Sequence, residues 1–226
     1  MPERSAEQLH THTLEFRARY RAGMNPRYSG WLHGAFVFGV GGVLMLYCFA
    51  QITQLQWIHL PLALLALFIA NVGEYMAHRQ LGHVKRPIGK LFYKRHTGDH
   101  HNFFTHDDYL IDNSRDLRVV LFPAFLLVAV AFGIALPFGL GAAWLLGDDA
   151  GWLFAGALLF NYLFYEFIHL CDHLPAHKAI TRWPLVRQLR EHHRLHHDPQ
   201  HAREVNFNVT LPITDWLLGT LYRAPR

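Results

Sequence analysis

All 21 lysines and arginines of this chain fall in three segments, and the intervals between them constrain the fold most. Residues 1–28 hold five basic side chains, 79–118 hold eight, and 178–226 hold eight. Between Tyr28 and Arg79, and again between Arg118 and Lys178, there is none. These two intervals carry four apolar runs, at 31–52, 57–77, 119–136 and 152–168. An α-helix rises about 1.5 Å per residue, so a run of roughly 20 residues crosses a hydrocarbon core of about 30 Å. Four such runs in 226 residues leave too little chain to cover them in a soluble core. The expected fold is therefore all-α and integral to a membrane: one embedded domain over residues 1–226 with four transmembrane helices. The linker 53–56 has room only for a tight turn. Pro137 should break the third run, leaving 138–147 as a kinked or re-entrant extension.

Composition agrees. Charged residues make up 17% of the chain, against about 25% in soluble domains. Four crossings put the three basic segments on one side, which the positive-inside rule makes cytoplasmic: the inner membrane of a bacterium or the endoplasmic reticulum of a eukaryote. Trp31, Trp57, Trp144 and Trp152 lie near the run ends, where an interfacial aromatic belt would put them. The net charge of +4 then needs no nucleic acid as partner. The polar first 28 residues do not read as a secretory signal and are too few to hold a cytochrome b5 domain. Cys48 should lie deep in the first span and Cys171 at a membrane edge, so no disulfide is expected between them.

The chain also holds 18 histidines, most in four clusters. His78 and His83 leave the second run. His96, His100 and His101 follow in the middle basic segment. His169 and His173 leave the fourth run. His192, His193, His196 and His197 lie in the last basic segment. On an α-helix, His169 and His173 share a face, as do His96 and His100, while His193, His196 and His197 form one stripe. His78 and His83 are five apart and off-face; Gly82 should stop the helix and let His83 swing back. Imidazoles crowded at a membrane face would charge and repel one another, and a metal relieves this by requiring the neutral form. Ten candidate ligands suit two metals, and an apolar bundle beside an open metal site suits oxygen chemistry on a hydrocarbon.

The order HxxxxH, HxxxHH, HxxxH, HxxHH resembles the fatty acid hydroxylase and sterol desaturase superfamily of membrane dimetal oxygenases, over roughly residues 71–222. Several flanking pieces are similar: Tyr165 and Glu166 before His169, the stretch from Asp112 to Arg115 followed by Val120 to Pro123, Asn206 with Phe207, and Asp215 with Trp216, Gly219 and Thr220. Asn208 stands where a Gly is usual, and Trp216 follows Asp215 where the order is often reversed. The resemblance implies metal ligands His78, His83, His96, His100, His101, His169, His173, His193, His196 and His197. It implies two iron ions, with zinc as a candidate in purified material because the affinity order favours it over Fe(II). It further implies O2 as co-substrate, an external ferredoxin-like or cytochrome b5-like electron donor, and hydroxylation or desaturation of a fatty acyl, sphingolipid or sterol chain. Carotenoid hydroxylation is the alternative within this chemistry. A His-rich metal transporter would need polar residues along the spans, and a bis-His haem protein would need His pairs buried within them. His10, His12, His33, His59 and His201 are expected at surfaces or interfaces. His106 and His177 are candidates for supporting positions behind the ligands, and His192 competes with His193 for the metal.

Overall fold

The computed structural model describes residues 5–202 and 204–223. It is helical, with no strand among the described residues. Four helices are long and apolar enough to cross a membrane: Gly30–Ala50, His59–Gly82, Ala124–Leu146 and Asp148–His173. We number the helices α1 (Ala6–Ala22), α2 (Gly30–Ala50), α3 (His59–Gly82), α4 (90–103), α5 (Leu117–Val120), α6 (Ala124–Leu146), α7 (Asp148–His173), α8 (Pro184–His196) and α9 (Ile213–Leu217).

The chain folds into two compact units, each assembled from segments distant in sequence. One unit comprises residues 31–73 and 121–167 and holds most of the apolar helices. Its core joins Cys48, Leu62, Ala66, Ala131, Ala135 and the residues from Leu153 to Leu159. Small residues let its helices approach closely. A Cβ on Gly151 would lie 2.7 Å from the carbonyl oxygen of Gly139 and 2.6 Å from the Ala143 side chain. Such contacts stabilise helices in lipid, where burial of apolar surface offers little gain. At the far end of this unit the Asp149 carboxylate accepts the backbone N–H groups of Thr53 and Gln54, at 2.8 and 3.0 Å. The outward face is strongly apolar: Trp31, Trp57 and Trp144 are exposed, with Leu46, Leu60, Phe132 and Leu140. Water would not tolerate that face, and a bilayer would.

The third span departs from the expected pattern. It begins at Ala124 rather than 119, because Pro123 cannot continue the helix of Val119 and Val120. It then runs unbroken to Leu146, so 138–147 is no separate re-entrant piece. The turn Ala131–Ala135 is π-helical and ends two residues before Pro137. A wider turn of this kind adjusts the hydrogen-bond ladder where proline lacks an N–H. His59, expected near a surface, is buried, and its Nδ1 accepts the backbone N–H of Gln56 at 3.0 Å. Cys48 and Cys171 are both free and buried.

The other unit comprises residues 1–30, 74–120 and 168–226. Helix α1 opens with a capping box between Ser5 and Gln8. It is fastened by two arginines. Arg17 donates to the carbonyls of Phe103 and Asp108, at 2.8 and 2.6 Å. Arg21 donates to Asp116 at 2.8 Å and to Asp112 at 2.5 Å. Asp116 is fully buried and also accepts the backbone N–H of Asp112. These bonds hold the 103–116 stretch, and with it Phe104 and Tyr109, against the histidines described next.

Candidate metal centre

Nine of the ten histidines carried over from the family pattern gather into two groups. His78, His83, His96, His101 and His196 form one, and His100, His169, His173 and His193 form the other, with the candidate donor nitrogens of each group within 4.8 Å of one another. His197 stands beside the second group, its Nε2 3.0 Å from that of His100 and 3.2 Å from that of His193.

Local helix winding decides which histidine joins which group. The turns at His78–Gly82 and Lys94–His100 are π-helical, with about one extra residue per turn. That winding brings residues five apart onto one face. His78 and His83 therefore meet, with Nε2 atoms 3.2 Å apart, and so do His96 and His101, at 3.0 Å. The helix does end at Gly82, as expected, but it is the π turn before that end which brings His83 to its partners. Gly82 acts through its missing side chain instead: a Cβ there would lie 2.9 Å from the His96 ring and 3.3 Å from the His78 ring. The expected pairing of His96 with His100 becomes a division, since His100 turns into the second group. The His193, His196, His197 stripe is divided likewise, with His196 in the first group and His193 in the second.

The outward nitrogens of five of these rings bond backbone carbonyls. Nδ1 of His78 donates to the carbonyl of Phe207, and Nδ1 of His100 to that of Val119 at 3.1 Å. His173 donates to Tyr109 at 2.7 Å, His196 to Val205 at 2.8 Å and His197 to Phe104 at 2.9 Å. Each carbonyl can only accept, so each Nδ1 carries the proton and the Nε2 of that ring is a bare lone pair. The 3.0 Å contact between the Nε2 atoms of His100 and His197 is then no hydrogen bond, because neither nitrogen has a proton to give. Protonation offers no escape. Burial first, and neighbouring imidazoles second, hold His96, His100, His101, His193, His196 and His197 well below the ordinary histidine value of 6.5, although the backbone bonds of His100, His196 and His197 oppose the fall.

Lone pairs facing one another need a cation, and the spacing suits one. Two nitrogens bound at about 2.0–2.1 Å to one ion, at right angles to each other, stand about 2.9 Å apart. The close Nε2 contacts within the first group run from 2.7 Å for His78 and His96 to 3.2 Å for His78 and His83. In the second group, the Nε2 of His173 is buried with no hydrogen-bond partner among the described residues. The donor set fits two metals that accept imidazole.

The remaining histidines fall elsewhere. His192 turns away from the groups and contacts the Asn208 carbonyl at 3.0 Å, with the Asp215 carboxylate 3.6 Å away. Glu191 and Asp198, its near neighbours in sequence, pair instead with Arg194 and His201. His10 bonds Asp108 at 2.8 Å, His33 bonds the Phe122 carbonyl at 2.9 Å, and His201 stacks on Tyr222. His12 is half-buried, His177 is exposed, and His106 pairs with Asp107.

Two carboxylates, the buried Asp215 and the half-buried Glu74, set the segment behind the first group, and sequence reasoning gave neither a role. Asp215 accepts the backbone N–H groups of Phe207 and Asn208, at 2.9 and 2.7 Å, and the Thr220 hydroxyl at 2.7 Å. Burial pushes its carboxyl up, but the nearby His192 imidazole and the bonds from Asn208, Thr220 and Phe207 outweigh that and hold it below the usual range. Glu74 accepts the N–H groups of Val209 and Thr210, at 2.6 and 2.9 Å. Between them they fix residues 207–210, and so the carbonyl that receives His78. Asn206 adopts φ of 58° just before this segment and donates to the carbonyls of His192 and Tyr222. The signal for Asp215 was the family-like ending of the chain, and for Glu74 an acid at the inner end of an apolar run.

A cavity of about 500 Å³ opens beside the first group, lined by Arg79, Gln80, His83, Val84, Lys85 and Tyr93.

The fatty acid hydroxylase family profile matches residues 63–220, most of the chain and all ten histidines. The chain belongs to the fatty acid hydroxylase family. It is 28% identical over 169 residues to the dihydroceramide fatty acyl 2-hydroxylase FAH1 of Arabidopsis thaliana, covering 74% of this chain and 63% of that relative's length. Its fold is similar to that of full-length Scs7p, in whose solved structure only the hydroxylase domain is visible. The TM-score is 0.55 at 23% identity, over 87% of this chain and 69% of the other.

Proposed function

We propose that the protein is an O2-dependent membrane oxidoreductase that hydroxylates a lipid acyl chain at a pair of iron ions. The observation that carries this reading is the gathering of the imidazoles into two groups, with five of the rings held by backbone carbonyls so that bare Nε2 lone pairs face inward, in a chain of the fatty acid hydroxylase family. The similarity to the Arabidopsis dihydroceramide fatty acyl 2-hydroxylase supports a fatty acyl chain as the target. His78, His83, His96, His101 and His196 would hold one ion. His100, His169, His173, His193 and His197 would hold the other. When bound, such a pair supplies the redox chemistry by which a C–H bond, O2, two electrons and two protons become C–OH and water.

The protein's own contribution is orientation and exclusion of water. The carbonyls of Phe207, Val119, Tyr109, Val205 and Phe104 hold their imidazoles in the Nδ1–H tautomer, which aims the Nε2 lone pairs inward. Phe104 stacks on the His173 ring at 4.1 Å and Tyr109 packs on it at 4.4 Å, closing that side to water. The electrons come from a separate donor, ferredoxin-like or cytochrome b5-like. The histidines face the cytoplasm, as the one-sided lysines and arginines require.

Lipid profiling of cells with and without the chain, under 18O2, tests this. A hydroxylated acyl lipid carrying 18O, absent when His173 is replaced by Ala, is expected. A new double bond without label would make the reaction a desaturation. No oxygen-dependent lipid change would overturn the reading.

A further inference from the structure

The cavity beside His83 has a chemistry that metal ligation leaves unused. Two of its six lining residues, Arg79 and Lys85, are cations, and none is an acid. The bias extends along the chain: between Glu74 and Asp99 lie Arg79, Lys85, Arg86, Lys90, Lys94 and Arg95 and no Asp or Glu. Arg79 is held in place, donating to the Tyr75 hydroxyl at 2.7 Å and lying over the Phe207 ring at 5.4 Å. A guanidinium has five N–H donors, and this bond uses one.

Exposed apolar side chains share the stretch. Ile88 is 83% exposed, Leu91 54% and Val84 42%. The span α3 ends at Gly82. At no more than about 3.6 Å per residue, Lys85 lies within roughly 11 Å of the helix end. Cations interleaved with exposed apolar side chains at the end of a span have the composition of a segment at lipid headgroup level. A cavity of this size is typical of small-molecule sites. Because His83 is both a wall of the cavity and a member of the first histidine group, a ligand seated there sits next to that group.

We propose that this cavity binds the anionic headgroup of an acyl lipid, a carboxylate or phosphate, with Arg79 and Lys85 as its charge partners, so that the lipid oxidised is a negatively charged one. The inference rests on the lipid-oxidising reading and adds the charge of the substrate. An acidic protein would also be drawn to these cations. The exposed Ile88 and Leu91 beside a span end favour lipid.

The test uses the metal-loaded protein in phosphatidylcholine nanodiscs, with spin-labelled stearic acid and its methyl ester as probes, at a pH where the acid is ionised. The protein-immobilised fraction, read by electron paramagnetic resonance, should favour the acid over the ester by about fivefold, which is about 1 kcal/mol for a surface cation. Lys85→Glu should abolish the preference and Lys85→Arg should keep it. Inorganic phosphate at constant ionic strength should not displace the acid. Equal immobilisation of acid and ester, or a preference that survives Lys85→Glu, overturns the proposal. Full displacement by inorganic phosphate overturns the lipid assignment in favour of a free anion. A Lys85→Glu protein that keeps the lipid preference but is reduced more slowly by an acidic donor overturns it in favour of donor docking. Turnover is followed separately on the same samples: selective binding of the acid without oxidation would sink the hydroxylase reading and leave the anion site standing.

Discussion

Asp215→Asn isolates how a residue that touches no candidate metal position controls the first histidine group. The carboxylate is fully buried and accepts three hydrogen bonds, from Phe207 N, Asn208 N and the Thr220 hydroxyl. Asparagine keeps the shape but only one acceptor oxygen, and it turns an NH2 toward a backbone N–H. A hydrogen bond to a charged group contributes about 1.5–3 kcal/mol, and a buried donor left unpaired costs about 1–3 kcal/mol. With no solvent to screen the site, a local destabilisation of about 2–4 kcal/mol is expected. The Phe207 carbonyl that receives His78 Nδ1 lies on the segment so released. Loss of such an outer partner costs about 10–100-fold in metal affinity, which is about 1.4–2.7 kcal/mol and within the local loss. Metal content after dialysis against a graded chelator should therefore fall from about two ions per chain toward one, the second group being retained. Thr220→Val, which removes one bond of the three, should lower the melting temperature without emptying the group. Asp215→Asn protein that melts normally and keeps both ions at wild-type affinity would refute the chain of dependence from Asp215 through Phe207 to His78.

Other expectations follow from the same geometry. His193→Ala should lose an ion from the second group while His192→Ala keeps both, checked by metal analysis; the reverse result would mean that His192 is the ligand. Gly82→Ala should push the His78 and His96 rings apart, and because overpacking typically costs about 1–3 kcal/mol, chelator resistance of the first group should drop with it. Acid should destabilise the metal-free fold. The imidazoles of His96, His100, His101, His193, His196 and His197 stay neutral when folded, whereas the unfolded chain takes up protons near the ordinary value of 6.5. Stability is thus intact above that value and lost progressively as pH falls through it, and metal binding shifts in the same direction. Thermal melts from about pH 7.5 down to about pH 5.5 that showed no fall would contradict the buried, neutral state of these rings.

The spans were legible because a bilayer imposes a crude rule, length of apolar run, and the lysines and arginines mark its edges. The ten histidines were legible from the family pattern of spacings. Their division was not. Which rings meet depends on whether a turn closes four or five residues on, and nothing in Arg79, Gln80 and Leu81 announces a π turn. The path of the third span through Pro137 was hidden for the same reason, since the turn before it changes winding. Glu74 and Asp215 escaped because their partners are backbone N–H groups: those of Glu74 lie 135 and 136 residues away, and backbone atoms leave no trace in side-chain identity.

The first group draws on α3, α4 and α8, and the second on α4, α7 and α8. Helix α8 is the last of these to be synthesised, and it contributes His196 to one set and His193 to the other. On the ribosome, therefore, the second set cannot close before residue 193 has been made, nor the first before residue 196. The segment at 207–210 that orients His78, and the Asp215 that holds it, emerge later still. A nascent or truncated chain that stops short of α8 has the apolar spans but neither complete set of imidazoles.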